Sequence, residues 1–113
     1  MKNNQPYNSL REFYPYYLRQ HTNATCRFFH FFGTTGFIIL FTLSIILQSW
    51  WLLLVAPIVG YGFAWIGHFF FEKNKPAAFS NPFYSLTSDF IMFYHTITLQ
   101  IDKKIERVSQ DSE

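Results

Sequence analysis

Three histidines and one carboxylate stand out as groups that can do chemistry: His21, His30, His68 and Glu72. Imidazoles with a carboxylate suit Fe(II), Zn(II) or Cu(II). Two histidines and a carboxylate on one face of Fe(II) leave positions open for a bidentate substrate and dioxygen, and three histidines would do the same. Two further residues can support such a site from a second layer, Asn23 and Asp89. Asp89 sits in an apolar stretch and needs a partner, whether Arg27, a ligating histidine or a metal. The plainer alternatives are specific. His68 and Glu72 are spaced as an ordinary side-chain pair on one helix, His21 as a loop residue, and Asn23 as a helix cap. His95, between Tyr94 and Thr96, reads as structural, and Cys26 as a small apolar filler.

What can bring these residues together is the run 28–71, which holds no charged side chain and two histidines. All nine lysines and arginines lie outside it. A water-facing helix needs a polar face, and a spanning helix needs about 20 apolar residues. The run is long enough for two, with a weak break at Gln48-Ser49 and Trp50-Trp51 placed as an aromatic belt. Transmembrane helices are therefore expected over 24–47 and 50–72. His30 and His68 lie at nearly equal sequence distances from the turn, so they reach the same depth in the hairpin at its basic end. Glu72 follows His68 by one turn, and His21 can fold back over that end. Gly60, Ala64 and Gly67 form a small-residue stripe suited to close approach by the neighbouring helix or by a second copy of the chain.

The flanks complete an all-α reading: an integral membrane helical bundle in one domain, 1–113. Residues 1–8 are polar and expected to be disordered. Ser9 and Glu12 fit a capping box for an aromatic interfacial helix over 10–21, with Pro15 as a kink or as its true start. Asn81-Pro82 is a helix start for a C-terminal helix over 82–107, either lying on the membrane or spanning it. The basic loops put both termini on the cytoplasmic side of a bacterial inner membrane or an endoplasmic reticulum. The first 27 residues lack the apolar stretch of a signal peptide. A net charge of +2 is too small and scattered for nucleic-acid binding. One cysteine excludes an internal disulfide.

These motifs carry a family resemblance over about residues 13 to 93. Phe13-Tyr14-Pro15-Tyr16-Tyr17-Leu18 with His21, Asn23, Cys26-Arg27, His30 and Gly33-Thr34 resembles one block. Ala64-Trp65-Ile66-Gly67-His68-Phe69 through Glu72-Lys73-Asn74-Lys75-Pro76-Ala77 resembles the next, and Asn81-Pro82 to Ser85-Leu86 and Ser88-Asp89-Phe90 with Met92-Phe93 the tail. The pattern is similar to a family of small membrane proteins, long catalogued as a domain of unknown function, that includes a yeast endoplasmic-reticulum 2-hydroxy-fatty-acid dioxygenase of phytosphingosine breakdown. The resemblance implies Fe(II)-dependent α-oxidation of a 2-hydroxy fatty acid, with O2, to the acid one carbon shorter. It carries the role of iron ligand, or of close support to one, to His21, His30, His68 and Glu72. This chain is shorter than the yeast protein, with a minimal turn between its spans.

Two other classes compete: a non-catalytic membrane scaffold or partner subunit with structural histidines, and a zinc-dependent lipid hydrolase. Metal content separates all three.

Overall fold

A computed structural model describes residues 7–111. Helices α1 (Leu10–Arg19), α2 (Ala24–Ile46), α3 (Leu52–Ile66), α4 (Pro82–Ile97) and α5 (Ile101–Asp111) follow in chain order. α3 continues directly into a π-helical turn, Gly67–Glu72, and a short 3-10 turn, Ala77–Phe79, leads into α4. No strand occurs among the described residues.

α2 and the joined α3–π helix are each long and apolar enough to cross a membrane. Their outer faces are bare: Phe28, Ile46, Leu54, Ile58 and Phe70 are all more than half exposed. Apolar surface of this extent marks a partner or a membrane, and on two adjacent helices of spanning length it marks membrane association. The turn between them falls at the expected place. Gln48 adopts a positive φ of 52°, and the Ser49 amide donates to the Ser44 carbonyl at 3.0 Å.

The small residues on α3 pack against α2 within the same chain. A Cβ on Gly33 would lie 2.8 Å from the Gly60 carbonyl oxygen, and one on Gly67 would lie 3.1 Å from the Cys26 carbonyl. The two backbones thus approach as closely as only glycine allows. Cys26, fully buried, fills the gap beside Gly67.

The N-terminal helix starts as its sequence specifies. Ser9 Oγ accepts from the Glu12 amide at 3.2 Å, and Glu12 reaches back to the Asn8 amide at 3.4 Å. Pro15 lies inside α1 without ending it. The disorder expected for 1–8 falls mainly on residues 1–6, which lie outside the described residues. Tyr7 packs on Phe13 and Tyr16.

The ends of the chain differ from the sequence reading in two ways. The helix expected over 82–107 is two helices, because Leu99 takes a positive φ of 62° and breaks it. α5 then folds back onto α1. Its apolar stripe, Ile101, Ile105 and Val108, joins Phe13, Tyr17, Leu18, Ala77 and Met92 in one buried cluster. Phe13 and Tyr17 are wholly buried, because the amphipathic α5 offers them an apolar partner. This α1–α5 cap closes over the open end of the hairpin.

Candidate metal centre

Three imidazoles meet beneath the cap. His21 arrives from the α1–α2 loop, His30 from α2 and His68 from the π-helical turn, and they are 0%, 5% and 1% exposed. One ring nitrogen from each lies within 4.8 Å of the others, and among the described residues they form a group able to hold a metal ion. Their rings meet edge to face, with centroids 4.4 to 4.9 Å apart.

The hydrogen bonds fix which nitrogen faces inward. His21 Nδ1 donates to the Tyr17 carbonyl at 2.6 Å, and His30 Nδ1 to the Cys26 carbonyl at 3.2 Å. A carbonyl can only accept, so both Nδ1 atoms are protonated. His68 Nδ1 meets Asn74 Oδ1 at 2.7 Å. Asn74 Nδ2 donates to the Gln20 carbonyl and Gln20 Oε1, which orients the amide and leaves its oxygen to accept from His68. All three Nδ1 protons are thus committed outward, and all three Nε2 lone pairs are left for the centre. Ligating histidines are ordinarily held in this way.

His21 Nε2 and His30 Nε2 stand 3.0 Å apart. With both lone pairs turned inward, a shared proton or a metal cation between them would satisfy that contact. Burial first, then the neighbouring His30 and His68, holds the His21 imidazole well below its ordinary pKa, so it stays in the neutral form that ligates. The donor set fits a divalent transition metal.

Local backbone explains the convergence. Asn23 caps α2, its side chain accepting from the Cys26 amide at 3.1 Å, and this sets where His30 begins its turn. The π-helical turn widens the backbone at His68, as π-turns often do at functional sites. Lys73 then closes that helix in the left-handed region, and the Asn74 amide donates back to the His68 carbonyl at 3.1 Å.

Glu72 does not join the three imidazoles. Its carboxylate accepts from Thr22 Oγ1 at 2.8 Å and the Asn23 amide at 2.9 Å, strapping the start of α2 to the end of the π-turn. Asn23 adds a bond from Nδ2 to the Phe71 carbonyl. Asp89 reaches the centre through Tyr17, whose hydroxyl donates to it and whose ring stacks on His21 at 4.1 Å. Arg27 serves neither Asp89 nor the centre. It donates to the His21 and Thr22 carbonyls and holds the loop. His95 pairs with Tyr14 at 2.8 Å, away from the centre.

Sequence reading missed Tyr17 and Asn74 as partners of the histidines. Asn74 carried one usable signal: a short amide just past a helix end, suited to folding back on the last turn. Replacing Asn74 with alanine leaves the three imidazoles in place but frees the His68 ring. The expected result is a loss of about 10- to 100-fold in metal affinity, read by titration of the metal-stripped protein.

The model of the family described as 2-hydroxy-palmitic acid dioxygenase Mpo1-like matches residues 7–101. No curated protein matches the chain, and no solved structure does. The matched stretch takes in both apolar helices and every residue of the histidine centre, and the chain belongs to the 2-hydroxy-palmitic acid dioxygenase Mpo1-like family.

Proposed function

We propose that the protein is an Fe(II)-dependent membrane dioxygenase that oxidatively decarboxylates 2-hydroxy fatty acids. The observation that carries this reading is the set of three buried imidazoles with every Nδ1 proton committed outward. The family supplies the substrate class. In the overall reaction one O2 is consumed, and the 2-hydroxy acid becomes carbon dioxide, water and the acid one carbon shorter. Bound ferrous iron would supply the activation of dioxygen and a seat for the substrate's carboxylate and 2-hydroxyl.

The chain's own residues do the rest. His21, His30 and His68 would hold the metal, each with its Nε2 free for it. Tyr17, Cys26 and Asn74 fix the rings by their hydrogen bonds. The α1–α5 cap, with Phe13 and Tyr17 at its centre, keeps bulk water from the cytoplasmic side. Tyr17 and Asp89 form a hydrogen-bonded pair beside His21 that holds a proton within the site.

Glu72 acts in this reading as a strap, not a ligand. Glu72→Gln is expected to keep its metal while losing stability, on the order of 1 kcal/mol for the weakened hydrogen bonds. Metal analysis and a thermal melt of the same preparation check both halves.

α2 and the α3–π helix span the membrane as a hairpin, with the cap and both chain ends on the cytoplasmic side. A reporter fused after Glu113 is expected to read cytoplasmic.

Incubating anaerobically purified, ferrous-loaded protein with 2-hydroxypalmitate tests the activity. The acid one carbon shorter should form only when oxygen is admitted. A loaded protein that leaves 2-hydroxypalmitate untouched under oxygen overturns the proposal.

A further inference from the structure

A cavity of about 160 Å³ opens beside His30 between α2, α3 and α4. Its polar end is His30 and Asp89, and its far end is Phe37 and Pro57. From His30 to Phe37 along α2 is about 10 Å. Gly60 lies on its wall, and a Cβ there would make only ordinary contacts, 3.6 Å from the Gly33 carbonyl oxygen and from Phe37 Cβ. The cavity also has a partly open side. Leu86 and Phe90 of α4, which line it, are 41% and 37% exposed. They face outward at the depth of Phe37, since Phe90 and Phe37 are in ring contact.

A dry cavity of comparable size holds one benzene-sized molecule, about six carbons. A long acyl chain seated beside His30 therefore outruns it after its first few carbons, and the remainder has to leave past Leu86 and Phe90. With α2 and α3 spanning as proposed above, that exit opens at the depth of Phe37, toward lipid, where an acyl chain is at no disadvantage.

Resting on the dioxygenase reading above, we propose that this cavity seats the head-proximal part of the substrate's acyl chain and takes it sideways from the bilayer through a portal at Leu86 and Phe90. Gly60 sets the room available. The head group then lies between His30 and Asp89, and the tail stays in lipid. Two consequences distinguish this from a closed chain pocket. Preference among long 2-hydroxy acids is flat, because the tail never enters the protein. A methyl group at position 60 weakens all of them alike.

Gly60→Ala is expected to fold and to retain its metal. It should raise KM about 10-fold for every chain length with kcat little changed, the usual cost of one methyl group intruding on an apolar pocket. An unchanged KM, or a wild-type optimum confined to one chain length, overturns the proposal. A second measurement needs no turnover. Two 2-hydroxy acids are crosslinked to the iron-loaded protein without oxygen, one carrying a diazirine a few carbons from the carboxyl, the other at the methyl end. The first should label the stretches 57–64 and 86–90, and the second should label mainly lipid. Labelling of 57–64 and 86–90 with no product under oxygen would sustain the cavity assignment and remove the dioxygenase reading. Product formation with head-proximal labelling elsewhere would remove the cavity assignment alone.

Discussion

His30→Ala is expected to abolish activity and to strip the metal from the protein. His30 offers Nε2 to the centre at 3.0 Å from His21 Nε2, while its Nδ1 is already spent on the Cys26 carbonyl. No other described side chain is placed to replace it. Glu72 is held by Thr22 and Asn23, and Asp89 by Tyr17. Loss of a ligand should exceed the roughly 10- to 100-fold effect of losing a partner that only orients one. The fold should survive, because His30 borders an existing cavity and alanine favours helix. His95→Ala serves as the comparison. It removes the bond to Tyr14 and the ring contacts with Tyr14 and Tyr94, none of them at the histidine centre, and should keep both metal and activity. Metal analysis with a helical circular-dichroism spectrum of each variant checks the pair.

Gly33→Ala should be the most damaging single methyl group in the hairpin. Its Cβ would sit 2.8 Å from the Gly60 carbonyl oxygen and 3.0 Å from Phe63 Cβ. The first of these is backbone and cannot swing aside, so α2 and α3 must separate. Overpacking of this kind costs about 1–3 kcal/mol. Separation would also move His30, three residues away on α2, relative to His68 on the π-turn of the other helix. Metal affinity should therefore fall together with the melting temperature. Gly62→Ala is the contrast, since a Cβ there meets nothing within 4 Å. It should be neutral or slightly stabilising in thermal melts in the same detergent.

The hairpin and two of its histidines were legible because they follow from one strong signal. Charge is absent from 28–71, and a hairpin with a central turn places His30 and His68 at one depth whatever the details of packing. His21 could be added because a short loop leaves it little room to go elsewhere. What escaped depends on backbone geometry that side-chain types do not announce. Glu72 was placed by α-helical spacing from His68, but the segment between them is π-helical, and the carboxylate is drawn to the Thr22–Asn23 loop. The break at Leu99 carries no glycine or proline, so the last helix read as continuous. Only the pull of Ile101, Ile105 and Val108 toward the α1 aromatics explains the fold-back. The burial of Phe13 and Tyr17 in the core of the cap follows from the same fold-back.

The identity of the metal decides among the readings of this centre. Protein purified without oxygen in mild detergent, and analysed for all first-row metals, is expected to carry about one iron per chain. The same preparation of His68→Ala is expected to carry almost none. Dominant zinc would indicate the hydrolase chemistry instead, and a metal-free chain with the three imidazoles intact would contradict a metal centre altogether.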